Sequence, residues 1–230
     1  MKRAVLFDVG DTLILGHPKY WLWPLLEKRG LVEKADVSRL RQATTDAYAH
    51  YSENHMAATD IDSALKFWGQ FHRELLRGIG LGDHAEEIAG YLRDNWETAH
   101  VWPLTPHAKE VLRTLKDRGY KLGVVSNWDW TLPGVLKATG LDEYFDYVAA
   151  SALLGVAKPD PRIFERVLSE LSVEPSEAVH IGDSEDDVNG AKAAGVEPVL
   201  FDPYKGNPRA LQDLRGLIGI VEGQGSRVES

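Results

Sequence analysis

The chain has 230 residues, of which 43% are hydrophobic and 27% are charged, and both values are ordinary for a globular protein in water. Its formal net charge of −9 argues against nonspecific binding to nucleic acid or to an anionic membrane surface. The sequence contains no cysteine, which excludes disulfides, thiol nucleophiles and thiolate metal ligands.

The first predicted element is the apolar run Ala4-Val5-Leu6-Phe7, which is typical of a buried parallel strand. Asp8 follows it directly, at the end of the strand where open α/β sheets bind their ligands. The chain enters this strand without a signal-peptide pattern, and no apolar run approaches the ~20 residues that span a bilayer. We therefore expect a cytoplasmic protein without membrane partners.

Residues 16–100 are polar overall but carry apolar side chains at helical spacing, which predicts a helical bundle inserted after the first strand. The apolar stripes consist of Trp21, Leu22, Leu25 and Leu26, then Leu65, Trp68, Phe71, Leu75 and Leu76, then Ile88, Leu92 and Trp96. The predicted domains are an α/β core formed by residues 1–15 and 101–230, and a helical insertion formed by residues 16–100.

From residue 103 onward, helical and strand patterns alternate. The predicted helices cover residues 105–118, 132–139, 162–171 and 185–194, and the predicted strands cover residues 122–125, 147–150, 178–181 and 198–201. This alternation predicts a parallel sheet with helices on both faces. Residues 222–230 are polar and contain Gly and Ser, so we expect a frayed tail there.

Three carboxylates follow predicted strands and form the candidate catalytic and metal site. Asp8 is the candidate nucleophile, because a carboxylate can attack a substrate and form a covalent intermediate. Asp183 and Asp187 are four residues apart at a predicted helix start, so both can face Asp8. Such an acidic cluster favours Mg²⁺, with the main-chain carbonyl of Gly10 as a further ligand. The alternative is that Asp183 and Ser184 only cap the helix.

Polar residues after the other strands complete the candidate site. Lys158, held next to Pro159, would neutralise the nucleophile and the transferred group, although a solvated surface lysine is the alternative. Ser126 and Asn127 end the second strand, and their hydroxyl and amide groups could hold a phosphoryl oxygen together with Thr12. A simple turn that begins with Ser-Asn is the alternative.

The four clusters, Asp8-Val9-Gly10-Asp11-Thr12, Ser126-Asn127, Lys158-Pro159 and Gly182 to Asp187, are similar in order to the four motifs of the haloacid dehalogenase superfamily. The resemblance covers the whole chain, and the helical insertion resembles the cap of subfamily I. The runs Ser126-Asn-Trp-Asp and Lys158-Pro-Asp-Pro-Arg-Ile-Phe resemble its "hydrolase domain-containing" branch in particular. The resemblance implies a Rossmann-like, three-layer α/β fold with strand order 5-4-1-2-3 and a mobile α-helical cap.

One position departs from this resemblance. In the family's phosphatases, the residue two places after the nucleophile is an Asp that serves as acid and base, whereas dehalogenases carry a bulky aromatic residue there and phosphonatases a small apolar one. Here the position is Gly10. We hypothesise that Asp11 takes over part of the acid/base role. Lys66 could be compared with the phosphonatase lysine, but no local signature surrounds it.

The combined prediction is a magnesium-dependent phosphatase that acts on a small phosphorylated metabolite through an aspartyl phosphate. Two alternatives stay open: a regulatory or binding protein with little turnover, which Gly10 favours, and a carbon–halogen hydrolase, which the magnesium carboxylates disfavour. His17, Tyr20 and Trp21 are candidate cap contacts because they follow the hinge closely. The expected state is a monomer or homodimer without nucleic-acid partners.

Overall fold

A five-stranded parallel sheet organises the α/β part of the chain in the computed structural model, which describes residues 1–223. Its strands are β1 (Ala4–Phe7), β2 (Lys121–Ser126), β3 (Tyr147–Ala150), β4 (Ala178–Gly182) and β5 (Glu197–Leu200). Their order across the sheet is β3-β2-β1-β4-β5, and all neighbours are parallel. The structure therefore confirms the predicted α/β fold and strand order.

The central strand is β1, and its sequence explains its place. All four of its residues are fully buried, as expected for a strand with a neighbour on each side and helices around the sheet. Phe7, its last residue, is in register with Val124 of β2 and with Ile181 of β4. The residues that follow these three strands are therefore brought to one edge of the sheet.

Eleven α-helices are formed by the described part of the chain. They are α1 (Pro18–Trp21), α2 (Trp23–Lys28), α3 (Leu40–Asn54), α4 (Ile61–Gly78), α5 (Ala85–Asp94), α6 (Ala108–Asp117), α7 (Leu132–Thr139), α8 (Ser151–Leu154), α9 (Pro161–Leu171), α10 (Glu185–Ala193) and α11 (Gly216–Val221). The sequence predicted α7 with its observed bounds, placed the start of α6 three residues too early and missed α8 and α11. Most of the predicted tail, residues 224–230, lies outside the described residues.

Helix α9 has a clear start signal in the sequence. Asp160 caps its N-terminus by accepting a hydrogen bond from the Arg162 amide at 2.9 Å, and Pro161 occupies the first helical position. Its apolar face packs on β2 and β3. The approach is close, because a Cβ on Gly123 would come within 2.6 Å of the Val167 side chain. This packing fixes the chain just after the Lys158 loop.

The chain divides into two compact units. One contains Met1–Leu15, Leu104–Asn127 and the described residues from Gly140 onward, and the other contains Gly16–Pro103 and Trp128–Thr139. The second unit thus includes a segment that the sequence had assigned to the α/β core. The Trp130 amide in this segment donates a hydrogen bond to the Ala58 carbonyl at 2.9 Å, and the Trp68 indole donates one to Asp129 at 2.8 Å.

The second unit is helical and has its own apolar core. Its helices α1 to α5 bury Leu22, Leu26, Phe71, Leu75 and Ile88 almost completely, together with their neighbours. These residues belong to the three predicted apolar stripes. The prediction that residues 16–100 form helices is therefore confirmed. Within the described residues, none of the helices is both long and apolar enough to cross a bilayer.

Candidate active site

The ends of three adjacent strands build the candidate site. Asp8 follows β1, Ser126 is the last residue of β2, and Asp183 follows β4. Because β1 lies between β2 and β4, these strand ends are neighbours at the carboxyl edge of the sheet. The structure therefore brings together three of the clusters that the sequence singled out.

Lys158 joins this group from the loop before α9. Its Nζ atom donates hydrogen bonds to Oδ1 of Asp8 at 2.6 Å and to Oδ1 of Asp187 at 2.5 Å. The Lys158 side chain is only 3% exposed, which excludes the alternative of a solvated surface lysine. The sequence-based choice of Lys158 as a charged member of the site is consistent with these contacts.

Asn127 holds the backbone of Lys158. The Lys158 amide donates to Oδ1 of Asn127 at 2.7 Å, and Nδ2 of Asn127 donates to the Lys158 carbonyl at 3.0 Å. This pair of bonds ties the end of β2 to the lysine loop. The predicted role of Asn127 in substrate binding stays a prediction, whereas its observed role is to position Lys158.

Charges within the buried triad determine the protonation state of Lys158. Burial alone would lower the pKa of Lys158, but the carboxylates of Asp8 and Asp187 outweigh burial and raise its pKa above the usual value. Lys158 therefore carries a positive charge. Burial raises the pKa of Asp8, and the Lys158 ammonium opposes that rise.

Asp187 is anchored on both of its oxygens. In addition to Lys158, its Oδ1 contacts Nε2 of His180 at 2.8 Å, and its Oδ2 accepts a bond from Oγ of Ser184 at 2.5 Å. Burial would raise the pKa of Asp187, but Lys158 and His180 hold it below its usual range. Ser184 and Asp187 also form a reciprocal capping box at the start of α10, so the capping alternative holds for Ser184. The predicted role of Asp187 as a metal ligand stays a prediction.

His180 was not among the residues chosen from the sequence. It is the third residue of β4 and is 1% exposed. The available signal was a polar side chain in an otherwise apolar strand, where buried polar groups need a partner. That partner, Asp187, lies in the first turn of the following helix.

The carboxylates of Asp8, Asp183 and Asp187 fit a divalent cation. Each offers an oxygen, and these oxygens lie within 4.8 Å of one another. Asp183 is the most exposed of the three, yet burial and the negative charges of Asp8 and Asp11 raise its pKa to about 8. Repulsion from the neighbouring carboxylates thus adds to the effect of burial, and hard oxygen ligands of this kind suit Mg²⁺.

Two buried hydroxyl groups, on Thr12 after β1 and on Ser126 at the end of β2, lack hydrogen-bond partners within the described residues. Oγ1 of Thr12 and Oγ of Ser126 are both inaccessible to solvent and make no hydrogen bond. Buried hydroxyls are normally satisfied, so an unpaired one calls for an explanation such as a ligand. Both residues were predicted to hold phosphoryl oxygens.

Gly10 and Asp11 belong to the turn that follows β1 rather than to the strand itself. Asp11 has a φ of 50°, in the left-handed region that non-glycine residues rarely adopt. Oδ1 of Asp11 accepts a hydrogen bond from the phenol of Tyr204, in the loop after β5. The sequence had no signal for Tyr204, which is 193 residues away.

The residues predicted to form cap contacts belong to the second unit. The His17 side chain caps α1 by accepting from the Lys19 amide at 3.2 Å, and the Trp21 indole donates to the Gly16 carbonyl at 2.8 Å. Tyr20 is 39% exposed, and Lys66 is exposed on α4. Their predicted roles toward a substrate stay predictions.

Comparison with known proteins gives concordant matches. A family model described as haloacid dehalogenase-like hydrolase matches residues 2–195. The chain is 34% identical over 205 residues to haloacid dehalogenase-like hydrolase domain-containing protein 3 of Bos taurus. This match covers 86% of this chain and 81% of the relative. The chain is 40% identical over 226 residues to ribulose-1,5-bisphosphate 5-phosphatase of Halopiger xanaduensis, which covers 88% and 86%.

The fold comparison agrees with the sequence comparison. The crystal structure of a HAD phosphatase from Thermococcus onnurineus superposes with a TM-score of 0.62 at 27% identity. The superposition covers 97% of this chain and 99% of that protein.

Proposed function

We propose that this chain, which belongs to the haloacid dehalogenase-like hydrolase family as its motifs predicted, is a magnesium-dependent phosphatase that acts on a small phosphorylated molecule. Membership of this family makes the chain a hydrolase. The phosphatase assignment is supported by relatives that are named as phosphatases, of which the Halopiger xanaduensis protein is 40% identical. The acidic cluster of Asp8, Asp183 and Asp187 supports it independently.

The buried Asp8–Lys158 pair is the observation that carries the proposal. In the proposed reaction, a carboxylate oxygen of Asp8 attacks phosphorus, the bond from phosphorus to the ester oxygen breaks, and an aspartyl phosphate forms. Water then attacks phosphorus and releases inorganic phosphate, which restores Asp8. The ammonium of Lys158, 2.6 Å from Asp8, offsets the negative charge that gathers on the transferred group.

Asp8, Asp183 and Asp187 would hold the magnesium ion, with the Gly10 carbonyl as a further proposed ligand. Bound there, Mg²⁺ supplies positive charge that neutralises the phosphoryl oxygens. Asp187 keeps its bonds to Lys158 and His180 in the structure, so it also orients the lysine. The raised pKa of Asp183 supports a cation at this site, because burial and then the charges of Asp8 and Asp11 disfavour its carboxylate form.

Thr12 and Ser126 are proposed to bind the phosphoryl oxygens. Their hydroxyls are buried and unpaired within residues 1–223, so a phosphate would satisfy donors that the protein leaves without acceptors. Asp11 is proposed to take the acid/base role, because Gly10 occupies the position where the family's phosphatases carry the acid/base Asp. General acid–base catalysis contributes about 10²- to 10⁴-fold, so this residue would matter most for substrates with poor leaving groups.

The test is phosphate release from p-nitrophenyl phosphate and a panel of phosphorylated metabolites, with Mg²⁺ or with EDTA. We expect turnover that requires Mg²⁺ and is lost in Asp8→Asn. The matched control is Asp186→Asn, an exposed carboxylate near the same motif, which should behave like the unmodified protein. Turnover that persists in Asp8→Asn, or a panel without phosphate release, would refute the proposal, and halide release from 2-haloacids would then be measured.

A further inference from the structure

We propose that Tyr204 is a positioning residue that holds the Asp11 carboxyl group for proton transfer to the leaving group. This inference rests on the proposed phosphatase activity and deepens it. It follows from the conformation of Asp11, from the construction of the Tyr204 loop and from the place of both residues beside the acidic cluster.

The conformation of Asp11 is the first observation. Its φ of 50° is costly for a residue with a Cβ, and glycine is the default residue at such a position. Strain of this kind persists where the surroundings hold it, often at functional sites. Because Asp11 lies in the turn after β1, the alternation of side chains along a strand does not direct it away from Asp8.

The hydrogen bond from Tyr204 to Asp11 is the second observation. The phenol of Tyr204 donates to Oδ1 of Asp11, so the carboxyl group has a fixed neighbour outside its own turn. This hydrogen bond stabilises the left-handed backbone conformation of Asp11.

The loop that carries Tyr204 is built to present it. Oδ1 of Asp202 accepts a bond from the Tyr204 amide at 2.9 Å, and Oδ2 of Asp202 accepts one from the Asn207 amide at 2.6 Å. One side chain thus closes the loop between these residues. The preceding Phe201 amide donates to the Gly182 carbonyl at 2.8 Å, which ties the loop to the end of β4 beside Asp183.

The location of the Asp11 carboxylate beside the cluster is the third observation. Asp11 is three residues after Asp8, in the turn that follows β1. The loop of its partner Tyr204 is bonded through Phe201 to Gly182, which directly precedes Asp183. Gly10 contributes no side chain at the neighbouring position.

The proposed proton transfers balance over the two steps. In the first, the Asp8 oxygen–phosphorus bond forms, the phosphorus–ester oxygen bond breaks, and the leaving oxygen takes the proton of the Asp11 carboxylic acid. In the second, water attacks phosphorus, its proton passes to the Asp11 carboxylate, and phosphate departs from Asp8. Tyr204 keeps its proton throughout and only orients Asp11.

The experiment compares Tyr204→Phe with the unmodified holoenzyme on ethyl phosphate, phenyl phosphate and p-nitrophenyl phosphate in the presence of Mg²⁺. The value of kcat/KM reports the steps up to departure of the leaving group, so it isolates the acid role. We expect kcat/KM to fall about tenfold for ethyl and phenyl phosphate and far less for p-nitrophenyl phosphate, whose leaving group needs no proton.

Three further variants make the result specific. Asp11→Asn should lower kcat/KM for ethyl and phenyl phosphate, relative to p-nitrophenyl phosphate, by more than Tyr204→Phe does. Adding Tyr204→Phe to Asp11→Asn should cause no further change, because both residues act on the same proton transfer. Asp202→Ala, which opens the loop, should reproduce the shift of Tyr204→Phe. The matched control is Tyr147→Phe, since the Tyr147 phenol contacts Arg166 on the protein surface.

The outcomes separate this inference from the proposed function. The inference about Tyr204 would be overturned if kcat/KM were unchanged in Tyr204→Phe, or if it fell equally on all three substrates. Hydrolysis of p-nitrophenyl phosphate by the unmodified protein would still support the phosphatase proposal in that case. An unmodified protein that hydrolyses none of the three would overturn both.

Discussion

The Lys158 ammonium lies 2.6 Å from the Asp8 carboxylate, and the two side chains are only 3% and 8% exposed. A buried ion pair adds little net stability by itself, but removal of one partner leaves an uncompensated buried charge. Asp187 shares the same ammonium, so the loss of Lys158 would leave two carboxylates facing each other. The pair thus ties stability to catalysis.

Lys158→Met should lower the free energy of unfolding at pH 7 by about 3–5 kcal/mol and abolish turnover, because Asp8 and Asp187 lose their common partner. Urea unfolding and phosphate release measure the two effects. Lys192→Met, at an exposed lysine on α10, is the control and should change the stability little. A stability equal to that of the unmodified protein would show that Lys158 does not compensate these carboxylates.

Gly182→Ala should damage the site more than the fold. A Cβ on Gly182 would overlap the carboxyl carbon of Asp187, which would have to leave its bonds to Lys158 and His180. We expect a loss of turnover of about tenfold or more and destabilisation of about 1–3 kcal/mol. Gly219→Ala, which has open space in α11, is the control and should be neutral or slightly stabilising. Full activity in Gly182→Ala would contradict the close packing at Asp187.

The raised pKa of Asp183 implies that the stability of the metal-free protein depends on pH. Burial, Asp8 and Asp11 raise its pKa from 3.8 to about 8, so the folded protein binds a proton that the unfolded chain has released. Stability therefore falls as the pH rises from about 4 to about 8. Thermal unfolding in EDTA should show this slope, and Asp183→Asn should flatten it.

Magnesium should reverse that loss. Because the ion binds the folded site, it should raise Tm in proportion to the logarithm of its concentration, and most clearly above pH 8. Asp183→Asn should remove the increase, while Asp186→Asn, at an exposed neighbour, should keep it. The same increase in Asp183→Asn would place the ion elsewhere.

His72 predicts an opposite pH dependence in the second unit. Burial and, to a lesser extent, Arg73 lower its pKa from 6.5 to about 3, and its Nδ1 has no partner within the described residues. The unfolded chain takes up a proton as the pH falls from 6.5 toward 3, so stability is lost in that window. We therefore expect the difference in free energy of unfolding between His72→Phe and the unmodified protein to favour the variant more at pH 5 than at pH 7.5. Urea unfolding followed by tryptophan fluorescence measures this gain.

The control for that measurement is His100→Phe, at an exposed imidazole. It should leave the difference between the two pH values unchanged. An identical pH response in His72→Phe and in the unmodified protein would mean that the His72 imidazole is protonated in the folded state. The ring contact to Trp68, 5.7 Å between centroids, gives the phenyl ring a place to stack.

Local pattern was sufficient to predict the sheet and most of the polar residues that the structure brings together at its carboxyl edge. Buried strands appear as apolar runs because both faces are covered, and the residue that follows such a run is at the ligand-binding edge by the geometry of parallel sheets. That argument found Asp8, Ser126 and Asp183, and the proline-flanked Lys158. The observed contacts of Lys158 with Asp8 and Asp187 agree with it.

The sequence by itself determined the α/β architecture, the strand order implied by the family resemblance and the polar clusters at the strand ends. Only the tertiary structure decided that Asn127 holds the backbone of Lys158, that His180 supports Asp187 and that Tyr204 reaches Asp11. The physical reason is that periodicity and turn chemistry act over a few residues. Contacts between distant loops depend instead on which strands become neighbours, and β5 reaches the site only because it pairs with β4.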